Sequence, residues 1–413
     1  MSQAPFDIVV FGATSFVGQI LSRYLLERYG AGGEVKWAIA GRSEAKLVTF
    51  KSGLGEAAAD LPVIIADAGN EASLTEMCEQ TRVVISTVGP YALYGEPLVQ
   101  ACVNSGTDYC DLTGEVQWIR KMIERYEEQA KKTGARIVHC CGFDSIPSDL
   151  GVYYLQQQAK AQFGEPCSTV KMRVKAAKGG LSGGTVASMI NVTKEAVADP
   201  ALRKELANPY SICPKDFRPA RRQHNVKAAE YDEDFKAWTA PFVMGAINTR
   251  VVHRSNALQG AAYGQEFGYD EAVLTGKGLK GRAAALGVAA GLGGFLVAAT
   301  IKPARWALEK FVLPKPGEGP TPKAQEEGFF DLRFVGISSK GEMIRTKVTG
   351  DRDPGYGSTG KMLGEAAMCL AFDIDDPEKR PGGFWTPASL LGQKAIDRLV
   401  KNAGLRFELL ENR

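Results

Sequence analysis

Two periodicities divide this chain. Over residues 1–150, short uninterrupted apolar runs take turns with stretches whose apolar side chains recur every three or four positions. The first pattern marks strands buried on both faces, and the second marks amphipathic helices. The runs are FDIVVF, VKWAIAG, LPVIIAD, residues 82–88, TDYCD and residues 136–140. This alternation predicts an α/β fold with a Rossmann-type doubly wound parallel sheet over residues 1–150.

From about residue 166 the texture changes. STVKMRVKAAKGG alternates apolar and polar positions, as a half-exposed antiparallel strand does. MGAINTRVVHRS and YGQEFGYDEAV read as further strands, residues 218–236 as loop, and residues 329–349 as a hairpin around Ser338-Ser339-Lys340-Gly341. Residues 151–350 are therefore expected to form a second, α+β, largely antiparallel substrate domain. A proline- and glycine-rich linker is expected over 315–322. The last segment, 351–413, reads as helices and a strand that return to the first domain.

Residues 283–301 break that texture. They carry no charge and lie between Arg282 and Lys302, and about 20 apolar residues suffice to span a bilayer. Three readings stay open: a core helix whose glycine face (Gly287, Gly291, Gly294) packs on a neighbour, a helix in contact with a membrane surface or lipid chain, and a transmembrane span.

The candidate chemistry begins where the first strand meets GATSFVG. Gly12, Ala13, Thr14, Ser15, Phe16 and Gly18 occupy the turn and the start of a helix, where unpaired backbone N–H groups attract a phosphate. Dinucleotide sites place three glycines here, and Ser15 stands in the middle glycine's place; its hydroxyl is one more group able to donate to the pyrophosphate. The second strand ends at Gly41, Arg42 and Ser43, about 20 residues on, where the ribose 2′ position is read. An acidic residue there would favour a free 2′-hydroxyl. Arg42 instead can grip a 2′-phosphate with two donors, worth roughly 1.5–3 kcal/mol, or it merely solvates a strand end. Asp67, after the third strand, contacts the adenine end or caps the helix starting near Glu71. Gly89, Pro90 and Tyr91 close the fourth strand on the ligand side, and Tyr91 and Tyr94 are expected to project from that loop.

Composition narrows the class. A chain of 413 residues exceeds one ordinary core. Its net charge of +3, without a basic block, gives no nucleic-acid surface. Residues 1–5 lead straight into a strand, so no signal peptide is expected. The eight cysteines lie in apolar runs without a paired framework, as thiols do in the reducing cytoplasm. His139, Cys140 and Cys141 alternate faces on a strand, which speaks against a metal site.

GATSFVG, AGRS, TVGPYALYGEPLV, YCDLTGE, GFDSIPSDLG and GGFWTPASLLG together resemble the saccharopine dehydrogenase-like oxidoreductases, and among them the bacterial trans-acting enoyl reductases. The resemblance runs from the first strand to the last helix. It implies an NADPH-dependent reduction of a carbon–carbon double bond in an acyl or polyketide lipid chain carried by a partner synthase, in lipid and glycolipid assembly. It also implies a cytoplasmic protein, with contact to the inner face of the plasma membrane and a homodimer left open. Enoyl reduction needs a hydride at the β-carbon, a polarised carbonyl and a proton for the α-carbon. Tyr91 is then the candidate proton donor, with Asp144 and Ser145 as polarising or orienting groups. Each has a plainer alternative: Tyr91 stacks beside the nicotinamide, and Asp144 caps the helix near Pro147. A dehydrogenase of a small amino-acid or imine substrate, and a lipid-associated protein with a non-catalytic cofactor fold, are the competing functions.

Overall fold

Apolar runs that lack alternation have no face to offer water. Ile8, Val9 and Val10 are accordingly fully buried at the centre of a seven-stranded sheet. The computed structural model describes residues 4–179, 183–311, 319–374 and 380–411. They form two units, one of Met1–Phe143, Gly317–Gly319 and Tyr356–Ala403, the other of Asp144–Pro316, Pro320–Gly355 and Gly404–Arg413.

In the first unit the strands are β1 (Phe6–Phe11), β2 (Trp37–Gly41), β3 (Val63–Ile65), β4 (Thr81–Ser86), β5 (Asp108–Asp111) and β6 (Arg136–Val138). Their order across the sheet is β6-β5-β4-β1-β2-β3, with Gly383–Trp385 added beside β6, and every pair is parallel. Helices α1 (Phe16–Tyr29) and α2 (Glu44–Gly53) follow β1 and β2. The chain builds outward from β1 to β3, then returns to β4 on β1's other side. That reversal opens a crevice at the C-terminal ends of β1 and β4, where doubly wound sheets bind ligands. The late helices Thr359–Phe372 and Gly392–Asn402 belong to this unit. Glu365 is buried and accepts from the hydroxyls of Tyr24 (2.6 Å) and Tyr29 (2.5 Å), tying the first of these helices to α1.

In the second unit, β7 (Cys167–Lys178), β8 (Glu230–Asp232), β9 (Ala237–Pro241), β10 (Gly268–Gly276), β11 (Phe329–Ser338) and β12 (Met343–Gly350) lie in the order β12-β11-β7-β10-β9-β8. Only the β7–β10 pair is parallel among the described strands. Strand β12 alternates buried and half-buried residues along its whole length, the signature expected of a one-sided sheet. Arg173, 2% exposed, is buried with two carboxylates, Asp232 at 2.7 Å and Asp270 at 2.6 Å. A buried guanidinium is tolerated only when its charge is met in this way.

Several expectations are corrected. The final strand, Arg406–Leu410, does not return to the first sheet; it pairs antiparallel with β12 in the second. Residue 150 falls inside the helix Ile146–Phe163, and the units divide between Phe143 and Asp144. MGAINTRVVHRS lies in a helix, Gly245–Leu258. Its valines and isoleucine suggest a strand, but Asn248 and the whole run Arg250–Asn256 are buried, so the surroundings enclose the helix on every side and override that local preference. Of the linker expected over 315–322, residues 315–318 lie outside the described residues, and Pro322 begins a short helix capped by Thr321.

The apolar stretch 283–301 does form a helix, Gly278–Thr300, but not a core helix. Its buried residues are Gly281, Ala285 and Ala299. A side chain added at Gly287, Gly291 or Gly294 would meet nothing within 4 Å among the described residues. Among the described residues the glycine face has no neighbour to pack on.

Candidate cofactor and active site

The turn from β1 into α1 leaves no room for side chains. Gly12 has φ +85°, in the left-handed region that favours glycine. A Cβ there would stand 2.7 Å from Val88 Cγ2 and 2.8 Å from Thr87 Oγ1. At Gly18 a Cβ would lie 2.3 Å from the Gly12 carbonyl oxygen, so glycine lets α1 sit directly on the turn. Ala13 is buried between them, and Thr14 and Phe16 are half-buried. The Phe16 ring meets Tyr356 edge-on at 4.7 Å.

Ser15 is the N-cap of α1, its hydroxyl oxygen accepting from Gly18 N at 3.0 Å. Thr87, just beyond β4, donates to the Gly12 carbonyl at 2.9 Å, and its Oγ1 shares a hydrogen bond of 3.0 Å with the Ser15 hydroxyl. The departure from the three-glycine pattern thus straps the head of α1 to the end of β4. The backbone N–H groups of the turn are placed for a phosphate, and the Ser15 hydroxyl stands beside them.

At the end of β2, Arg42 is exposed, and among the described residues it has neither ion pair nor hydrogen bond. Ser43 caps α2, accepting from Lys46 N at 3.4 Å. Asp67 accepts from Gly69 N at 2.9 Å, while Asn70 holds the cap of the next helix. The capping alternative for Asp67 therefore falls. Gly89 is exposed at the end of β4 and Pro90 half-buried beside it. A cradle that any Cβ would fill, a helix N-terminus, and an uncommitted guanidinium at the 2′ end fit a dinucleotide bearing a 2′-phosphate.

Tyr91 does not project from its loop. It is buried, its ring lies 5.5 Å from Trp118, and its hydroxyl donates to the Ser86 carbonyl at 3.0 Å. Burial, reinforced by the Asp111 carboxylate, pushes the phenol well above its ordinary value. Tyr94 is the tyrosine that faces solvent. Glu115, fully buried, accepts from Tyr91 N (2.9 Å) and Ala92 N (3.0 Å), satisfying the start of that short helix. Asp144 and Ser145 belong to the second unit, whereas Tyr91 belongs to the first. Ser145, not Asp144, holds the N-cap position of Ile146–Phe163. Its hydroxyl donates to Asn248 Oδ1 at 2.9 Å, and Asn248 in turn donates to Glu271 at 2.9 Å. Glu271 is fully buried, also accepts from Tyr269 (2.6 Å), and burial raises its carboxyl to about 7.

Sequence reading missed a second buried set in the first unit. His139 Nδ1 donates to Asp111 Oδ2 at 2.7 Å, and Tyr109 donates to the same oxygen at 3.0 Å. His139 Nε2 has no hydrogen-bond partner among the described residues, and its ring is enclosed by Trp118, Tyr109 and Phe384. The motif YCDLTGE held the signal, since it places Asp111 and Glu115 at a strand end on the ligand side. Thr87 and Asn248 had no local signal.

Comparison with known proteins agrees with this geometry. Residues 8–138 match the saccharopine dehydrogenase NADP binding domain, which places the cofactor cradle within a recognised NADPH-binding unit. A protein of Mycobacterium ulcerans named trans-acting enoyl reductase is 36% identical over 408 residues, covering 96% of each chain. Its namesake from Mycobacterium tuberculosis H37Rv is 37% identical over 415 residues, again covering 96% of each. The fold resembles a solved saccharopine dehydrogenase of Saccharomyces cerevisiae, with a TM-score of 0.54 at 11% identity, over 98% of this chain and all of that one. Identity of this extent, carried end to end, means that the chain belongs to the saccharopine dehydrogenase-like oxidoreductases, in the branch of the trans-acting enoyl reductases.

Proposed function

We propose that this protein is an NADPH-dependent enoyl reductase that saturates a carbon–carbon double bond in an acyl or polyketide chain presented by a partner synthase, in the assembly of lipids and glycolipids. The observation that carries the reading is Arg42, exposed and uncommitted at the end of β2, above a glycine cradle that admits only backbone. The relatives' shared name supplies the reaction class. We place the protein in the cytoplasm, in contact with the inner face of the plasma membrane.

Bound NADPH supplies the hydride. The chain's own contribution is to hold and orient. Gly12 and Gly18 bring backbone N–H groups to the phosphates, Ser15 and Thr87 keep the head of α1 in register with β4, and Arg42 selects the 2′-phosphate. Asp67 closes the adenine end, and Gly89 with Pro90 shapes the nicotinamide end. Tyr91 takes the plainer of its two roles, a ring held beside the crevice, because its proton is engaged at the Ser86 carbonyl. Asp144 remains the group that polarises or orients the acyl carbonyl, and Ser145 serves to orient only, because its proton is engaged at Asn248 Oδ1. For Ser145 the support is a hydroxyl fixed by Asn248, itself fixed by a carboxyl that holds its proton near neutrality.

The competing reading, a dehydrogenase of small amino acids, calls for free cations to receive a carboxylate. In the second unit a cavity of about 390 Å³ is lined by Lys171, Arg173, Arg221 and Arg222. Arg173 is committed to Asp232 and Asp270, Lys171 to Asp234, and Arg221 to the Ser168 and Glu266 carbonyls. That leaves Arg222, exposed and without an ion pair or hydrogen bond among the described residues, as the one cation of these four open to a carboxylate. Lipid profiling of a strain lacking the protein separates the two. Accumulation of a chain with one additional double bond is expected; an unchanged lipid profile with altered amino-acid pools would replace the enoyl reading.

A further inference from the structure

From Ala283 to its end the helix Gly278–Thr300 is apolar all round, yet it lies on the outside of its unit. Leu279 is 83% exposed, Leu286 53%, Val297 60%, and Trp306 on the following helix, Lys302–Phe311, 57%. Contiguous apolar surface of this kind marks a binding face. We propose that these two helices form a docking surface for an anionic lipid bilayer, with Gly278–Thr300 lying in the plane of the headgroups.

Both ends of the long helix are fastened to the same unit. At its start, Gly281 lies so close to Gly276 that a Cβ would stand 2.2 Å from the Gly276 carbonyl oxygen, and Thr275 donates to the Gly281 carbonyl at 2.9 Å. At its end, Ala299 and Phe295 pack on Ile190 of the helix Gly183–Ala198. A helix held at both ends by one folded body presents its length sideways, so it rests on a bilayer instead of crossing it. The glycines in its middle keep the outer face low and open, with nothing within 4 Å of Gly287, Gly291, Gly293 or Gly294 among the described residues.

Charge selects the occupant. Lys277, Lys280 and Arg282 stand at one end of the apolar length, and Lys302, Arg305 and Lys310 at the other. Glu309 is the only acidic residue in that stretch of sequence. A bilayer with anionic headgroups meets both basic ends at once while its acyl region takes the apolar middle. Two copies packed through this face would bring like charges together at the rim. Trp306, with Lys310 Nζ 4.7 Å above its ring centroid, is the pairing of aromatic body and basic head that settles at a membrane–water boundary. The surface deepens the reading of a reductase in lipid assembly and rests on that reading for its purpose, because a bilayer is where the finished lipids go.

The test is flotation of the full-length chain with vesicles of phosphatidylcholine alone and of phosphatidylcholine mixed equally with phosphatidylglycerol, with NADPH titrated on the same samples. The chain is expected to float with the mixed vesicles and to sediment with the neutral ones. Leu286→Glu and Val297→Glu should each lower the bound fraction about tenfold, and Lys302→Gln about fivefold, all with unchanged NADPH affinity. Failure to float on anionic vesicles overturns the proposal. So does flotation that Leu286→Glu leaves intact, or a dimer in sedimentation that Leu286→Glu splits, which would give the face to a second copy through the Gly287–Gly291 spacing. Flotation without NADPH binding would uphold the docking surface while removing the reductase reading.

Discussion

The chain is rich in glycine at two helices, and the two could hardly differ more in what glycine does there. At the head of α1, Gly12 and Gly18 are each pressed against neighbouring atoms, with less than 3 Å to spare for a Cβ. Along Gly278–Thr300 the glycines at 287, 291, 293 and 294 face open space. In the first case the missing side chain is a contact distance, set by backbone that has to come close. In the second it is a surface property, a smooth apolar face. Cations flank both places, but Arg42 stands alone at one point of a crevice, whereas six basic residues bracket the length of the exposed helix. A single aimed guanidinium suits one phosphate, and a distributed rim suits a charged sheet of headgroups.

Substitution separates the two kinds of glycine, and the largest effect is expected at Gly18. Gly18→Ala forces a methyl against the Gly12 carbonyl and the Ala13 Cα, both backbone that cannot swing aside. A cost of about 3 kcal/mol or more is expected, read as a lowered unfolding midpoint together with loss of NADPH binding. A midpoint and an affinity like those of the parent chain would mean that α1 does not sit directly on the turn. Arg42→Ala comes next. It should weaken NADPH by about 2 kcal/mol, roughly thirtyfold in Kd, and leave NADH unchanged; equal loss for both cofactors in a fluorescence titration would refute the 2′-phosphate role. The smallest effect has the opposite sign. Gly287→Ala, in an open helical position, should stabilise by about 0.5–1 kcal/mol in denaturant unfolding. Destabilisation there would reveal a close neighbour and return the helix to the core.

What could be read from sequence follows from how local each signal is. The β1–glycine–α1 turn and Arg42 were legible because strand, turn and helix succeed one another within a few dozen residues, and the chemistry rides on that succession. The partner that explains Ser15 was not legible, because Thr87 is 72 positions away and only sheet pairing brings it near. Tyr91 was misplaced for the same reason: its loop looked exposed until Trp118 and the Ser86 carbonyl closed over it. The helix Gly245–Leu258 is hard to read because its valines and isoleucine favour strands in isolation, and burial of nearly every residue from Asn248 to Asn256 overrides that preference. For Gly278–Thr300 the composition was plain and the exposure was not, since exposure depends on what the rest of the chain brings alongside.

The return of the last strand, Arg406–Leu410, to β12 has a consequence for how this protein can be altered or exchanged. Neither unit is a continuous piece of gene. The chain leaves the first at Phe143, rejoins it briefly at Gly317–Gly319 and again at Tyr356, and leaves after Ala403 to complete the edge of the second sheet. Swapping the second unit for that of a relative therefore amounts to an insertion with a matched tail, and a simple fusion at one junction would strand β12 without its neighbour. Selection meets the same restriction: a changed substrate preference has to arise by substitution within the interleaved chain, because the halves cannot be shuffled as cassettes.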